Sequence, residues 1–201
     1  MSFGLSSRHL RVGLVAFYAA VWIIAAIDPF DRFDWFLENL LVAAFAVYLF
    51  ASYRRHPLSD LSYVLITLFL TLHAIGAHYT YSEMPMGHWL KDAFEMERNH
   101  YDRVVHFTYG LLCAVPFHER VVAWAKKMDF GTYFYAFTLI VLCSAVYEAM
   151  EWIVAEIVSP DAALAYLGTQ GDVFDAQKDS VLAALGAAVA LIAAAGVRAK
   201  R

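Results

Sequence analysis

Charge is scarce in this chain. Only 17% of its 201 residues are Asp, Glu, Lys or Arg, against 61% hydrophobic, so a soluble fold would need an improbably large core for its length. Cysteine is nearly absent too. Cys113 and Cys143 both fall inside apolar stretches, where they read as packing residues rather than as a disulfide or a metal pair. Internal repeats and low-complexity linkers are missing, which leaves a single domain, residues 1–201, as the economical reading. The formal charge of −4 divides between two opposite faces and points to no nucleic-acid partner.

What is present is six long apolar stretches, approximately 12–27, 35–53, 61–81, 103–117, 131–157 and 176–197. A bilayer core requires about 20 such residues per helix, so the expected fold is all-α, a polytopic bundle of about six transmembrane helices. The segments flanking these stretches on the side of the termini hold 10 of the 15 Lys and Arg, and among the acids only Asp60, Glu119 and Asp129. Basic residues near span ends stay cytoplasmic. Both termini are therefore expected in the cytoplasm, with most carboxylates on the outer face. Arg8 and Arg11 before an apolar run resemble a signal sequence, but Ala25-Ala26-Ile27 lacks the final small residue of a cleavage site, and the stretch reads as an uncleaved first helix.

Local signals mark the helix ends. The first helix should stop at Asp28-Pro29, and the second should leave through Tyr53-Arg54-Arg55, an aromatic and basic interfacial anchor. The polar stretch 82–102, with Trp89, Phe94 and Met96 among charges, predicts an amphipathic surface segment that roofs an outer cavity. The fourth helix is expected to end near Pro116 and the fifth to run outward to Ser159-Pro160. A Gly168-Thr169-Gln170-Gly171 turn then leads into the sixth, whose Ala-rich run 183–195 suits close helix packing.

Chemistry-grade residues gather at the outer ends of four helices. Asp102 and His106 are spaced i,i+4 and Glu148 and Glu151 i,i+3, so each pair shares a face; Asp172, Asp175 and Asp179 repeat at i, i+3, i+7. His73 and His78, five apart, diverge by about 140° around the axis, so only one should point inward. Asp172 also suits a helix cap. Two carboxylates near a helix C-terminus, Glu148 and Glu151, oppose the dipole and are costly in a membrane unless paired, protonated or cation-bound. Mixed imidazole and carboxylate donors suit a divalent metal such as Zn, Mn or Fe, and an all-oxygen subset suits Mg or Ca; the sequence does not choose among them.

The strings His73-Ala74-Ile75-Gly76-Ala77-His78-Tyr79-Thr80-Tyr81, Arg98-Asn99-His100-Tyr101-Asp102-Arg103-Val104-Val105-His106-Phe107, Tyr147-Glu148-x-x-Glu151-Trp152 and Gly168-Thr169-Gln170-Gly171-Asp172-x-x-Asp175-x-x-x-Asp179 resemble the YjdF-type bacterial inner-membrane family over roughly 10–197. More distantly, Asp102-x-x-x-His106-Phe107, Glu148 and Asp179 with Gly186 are similar to the pattern of VanZ-like membrane proteins, although Arg103, Glu151 and Ala183 depart from it. The resemblance implies a multi-pass protein of the bacterial inner membrane.

Two functional classes follow. In the first, a metal held by Asp102, His106, Glu148 and Asp175 activates water against a lipid-linked or cell-envelope substrate, with Glu151 as general base, Arg103 as an anion clamp, and His73, His78, Asp172 and Asp179 in support. In the second, the cluster is a cation- or proton-linked binding site of a transport or accessory protein. The inner halves of the later helices are mostly apolar, which favours a one-sided site over a conduit. A scaffold with a structural polar cluster is the remaining reading.

Overall fold

Asp31 opens the second helix by accepting hydrogen bonds from the Phe33 and Asp34 amides at 2.8 and 2.9 Å, and side chains cap two later helices in the same way. The computed structural model describes residues 7–158, 163 and 166–199. Among these it forms α1 (Ser7–Ala25), α2 (Arg32–Ser52), α3 (Asp60–His78), α4 (Pro85–Ala93), α5 (Tyr101–Ala125), α6 (Phe130–Ile157) and α7 (Asp175–Ala199). Ser59 caps α3, and Asp129 and Thr132 form a reciprocal capping box on α6, satisfying amides that a helix start otherwise leaves orphaned. Ser159 and Pro160, the expected outer limit of α6, lie outside the described residues.

Five of these helices, α1, α2, α3, α6 and α7, are long and apolar enough to cross a membrane. The sixth expected span is α5, and it differs from expectation. Pro116 lies inside the helix, which continues to Ala125. The polar residues after Pro116 have partners: the Ser59 amide and hydroxyl donate to the Glu119 carboxylate at 2.9 and 2.5 Å, Arg120 donates to the His56 carbonyl and to the Ser52 hydroxyl, and His118 meets the Thr132 hydroxyl at 3.2 Å. At its other end the Tyr101 hydroxyl donates to the Leu72 carbonyl at 2.8 Å. With 25 residues, about 37 Å at 1.5 Å per residue, α5 runs the full depth of the bundle.

The core is built around α5 and α7, which pack more extensively than any other pair. Gly110 faces Ala183 and Gly186 faces Phe107 so closely that a β-carbon at either glycine would overlap the opposing backbone. Ala183 and Ala187 are fully buried in the same seam. Small residues let two helices approach backbone to backbone, gaining dispersion contact where lipid offers no hydrophobic drive. α1 lies outside, against α3, and α2 packs mainly on α3, standing away from α6.

Candidate functional site

The end of the bundle away from Ser7 and Ala199 carries two layers of polar residues. In the roof, Asn99 is fully buried and its side chain is satisfied on both ends: the amide donates to the Ser82 and Met84 carbonyls at 2.9 and 3.0 Å, and the oxygen accepts from the Tyr101 amide at 3.0 Å. α4 lies against it at Gly87, where a β-carbon would collide with the Asn99 side chain. The Gln170 side chain pairs reciprocally with the Asn99 backbone at 2.9 and 3.0 Å, fastening the 168–171 turn to the start of α5. Gly168 and Gly171, at φ of 56° and 85°, supply the left-handed conformations this turn requires. Of the apolar residues expected on the amphipathic surface segment, Trp89 and Phe94 stay exposed and Met96 is half-buried.

Beside Asn99, Arg98 and Arg103 clasp the beginning of α7. Arg98 donates through both terminal nitrogens to the two oxygens of Asp175, and Arg103 bridges Asp172 and Asp175. Lys178 closes the network on Asp172 at 2.5 Å. The Lys178 ammonium, the Phe174 amide and the Arg103 guanidinium hold the Asp172 carboxyl below its ordinary range. Burial and the flanking guanidiniums of Arg103 and Arg98 push the His100 imidazole down.

Under this roof lies the second layer. Ligand atoms of Asp102, His106 and Asp179 all fall within 4.8 Å of one another. His106 Nε2 is 3.5 Å from Asp102 Oδ1 and 3.3 Å from Glu148 Oε1, which brings α5, α6 and α7 to one point. Asp179 is 1% exposed, and its Oδ1, like Glu148 Oε1, has no hydrogen-bond partner among the described residues. Buried acceptors in that condition are rare and costly.

A third set extends inward from α2 and α3. Glu38, 4% exposed, accepts from the Tyr147 hydroxyl at 3.0 and 2.8 Å. His73 Nε2 approaches the Glu38 carbonyl at 3.3 Å, and its Nδ1 meets the Tyr81 hydroxyl at 2.5 Å. Glu151 neighbours Glu148, Glu38 and Tyr147.

The expected residues therefore separate into groups. Asp102, His106 and Glu148 converge as expected. Asp175, expected as a ligand, lies outside the group of donor atoms within 4.8 Å of one another: it sits on the first turn of α7 facing the loop before α5, where two guanidiniums take both of its oxygens. Asp179, expected in a supporting place one turn deeper on the same face, lies within that group. Arg103 is engaged with carboxylates of its own chain rather than standing free as an anion clamp. Of the two histidines, His73 points inward and His78 turns to the Ala25 carbonyl at 3.0 Å. Sequence pattern alone does not single out Arg98, because it lies in a charged stretch that resembles solvated loop; its place beside Asn99, at the start of one of the strings that carry the family resemblance, is the available signal.

The chain matches, over residues 10–200, the family described as "Predicted membrane protein (DUF2238)". It is 34% identical over 176 residues to the inner membrane protein YjdF of Escherichia coli (strain K12), covering 86% of this chain and 82% of that relative. No solved structure matches it. The chain belongs to the DUF2238 family of membrane proteins.

Proposed function

We propose that this DUF2238 protein holds a divalent cation between Asp102, His106 and Asp179 and uses it in hydrolysis or transfer on a lipid-linked or cell-envelope substrate. The observation that carries this reading is the meeting of three donor groups with an orphaned, fully buried Asp179 oxygen. An imidazole and two carboxylates suit a borderline metal, and an incomplete protein ligand set leaves positions for water or substrate. When bound, the cation supplies Lewis acidity and an acidified water. Glu148, 3.3 Å from His106, either completes the ligand set or accepts a proton; Glu151 is the general base that receives it next. Arg98 and Arg103 act as positioning residues, holding the α7 start so that Asp179 faces His106.

The division of basic residues supports an outward-facing site, with both termini in the cytoplasm of a bacterial inner membrane. A second reading, a proton- or cation-linked binding site without chemistry, draws support from the buried Glu38 and His73 and the half-buried Tyr81 and Tyr147 bonded to them, a set that continues beyond the triad, since intramembrane ionisable groups also mark ion pathways.

Elemental analysis of detergent-purified protein tests the proposal. Stoichiometric divalent metal is expected in the wild type, and a loss of most of it in Asp179→Asn and in Glu148→Gln. Glu95→Gln, a surface change, should retain it. Metal-free wild type after incubation with Zn, Mn and Fe salts would refute the cation site and leave the proton-linked reading.

A further inference from the structure

Beneath the polar triad lies a cavity of about 500 Å³, within the range of specific ligand pockets, and its wall is sorted by polarity along its length. Asp102, His106, His73, Tyr81 and Tyr147 line the outer end. Deeper, the wall is carried by side chains such as Val42, Phe45, Phe69 and Phe117, with Cys113 and Ser144 among the few polar atoms. On α5 the lining residues run from Asp102 to Phe117 along one helix face, a depth of about 22 Å at 1.5 Å per residue. That exceeds the roughly 15 Å of one leaflet's half of a ~30 Å hydrocarbon core.

The mouth faces sideways. Leu41 and Ala44 of α2 and Leu142 and Val146 of α6 line the cavity and are also exposed, because α2 packs on α3 and stands off α6. These positions lie in the middle of two membrane-crossing helices, so the medium at the opening is lipid. At the outer edge, the Tyr147 hydroxyl bonded to Glu38 joins the two helices above the gap. Whatever enters does so from the bilayer.

We propose that this cavity takes one long alkyl chain of a bilayer amphiphile, with its polar head at His106 and Asp102 and its tail running down α5. The proposal rests on the cation reading for the head alone, since a phosphate or carboxylate there would complete the metal's coordination; the tail site stands on the apolar wall and the lateral opening. A cavity of about 500 Å³ with its polar groups gathered at one end suits one chain better than the paired tails of an ordinary phospholipid.

The test uses the full chain in lipid nanodiscs and three probes carrying a diazirine near the tail end: hexadecanoic acid, a single-chain lysophospholipid, and an isoprenoid monophosphate. Photolabel should concentrate on residues 109–117 of α5 and 139–144 of α6, with the preferred probe distinguishing an acyl from an isoprenoid source. Cys143→Trp and, independently, Ala44→Trp fill the slot from exposed rim positions, and each should reduce that labelling at least fivefold while metal content stays at the wild-type level. Label spread evenly over lipid-facing positions such as Ile23, Ile24 and Phe50, or unchanged in both Trp variants, would overturn the proposal; so would cross-linking that finds a second copy of this chain seated in the slot. Labelling retained in metal-free Asp179→Asn separates the tail site from the cation reading.

Discussion

Asp172 shows how a single carboxylate is held on its charged side and what acid should do to it. Its oxygens take Lys178, Arg103 and the Phe174 amide, and its folded pKa lies below the ordinary value of about 3.9. The sign follows from linkage: a depressed carboxylate pKa contributes stability above the unfolded value and loses it as pH falls through that value toward the folded one. The stability advantage of wild type over Asp172→Asn in detergent should therefore be constant above about pH 5 and shrink below about pH 4. A thermal unfolding series against pH measures this, and a constant difference down to about pH 3 would contradict it. The spacing of Asp102 with His106 and of Glu148 with Glu151 makes half of this neighbourhood legible in the sequence, because i,i+3 and i,i+4 pairs share a face wherever the helix goes. The choice between Asp175 and Asp179 is not legible there. It depends on the loop before α5, whose Arg98 reaches α7 only through the tertiary path fixed by Asn99.

At the scale of elements, the α5 and α7 seam offers a test that reverses a familiar rule. Gly→Ala inside a helix ordinarily stabilises by about 0.5–1 kcal/mol. Gly110→Ala should instead destabilise by about 1–3 kcal/mol, the usual range for overpacking, because its β-carbon meets the Ala183 carbonyl. Gly13→Ala on α1, with nothing near the added carbon, should be neutral or stabilising. Equal behaviour of the two variants in thermal unfolding would reject the close crossing. The Ala-rich run 183–195 announces such packing but names no partner. The extent of α5 is obscured for another reason: Pro116 and the charges after it mimic a helix end followed by a loop, and only the contacts of Glu119 and Arg120 with the α2–α3 connection restore it.

For the whole molecule, the alternation of six helices follows from apolar stretches that the sequence displays openly, and the ties at each end agree with it. Arg11 meets Asp60 at 2.9 Å on one side, and the Phe30 amide donates to the His78 carbonyl at 2.8 Å on the other. Which side faces the cytoplasm is a matter of charge, and labelling decides it. In a background lacking Cys113 and Cys143, Asp92→Cys should react with an impermeant thiol reagent once the outer membrane is opened, and Lys127→Cys only after the inner membrane is breached. The reverse order would invert the orientation and turn the polar triad toward the cytoplasm.

The distribution of charge along α5 has a bearing on how the protein is made. Among the long helices described, this one alone lacks the apolar character of a membrane span, because Asp102 and Arg103 at one end and Glu119 and Arg120 beyond Pro116 leave between them an uncharged stretch shorter than the about 20 apolar residues that a span requires. Its most extensive partner, α7, is synthesised later, after α6. The segment around His106 is thus released from the insertion machinery before the surface that shelters it exists, and its permanent placement waits on α7. Chains truncated before Asp175 should expose the α5 region to protease in membranes, whereas supplying α7 as a separate fragment should restore protection.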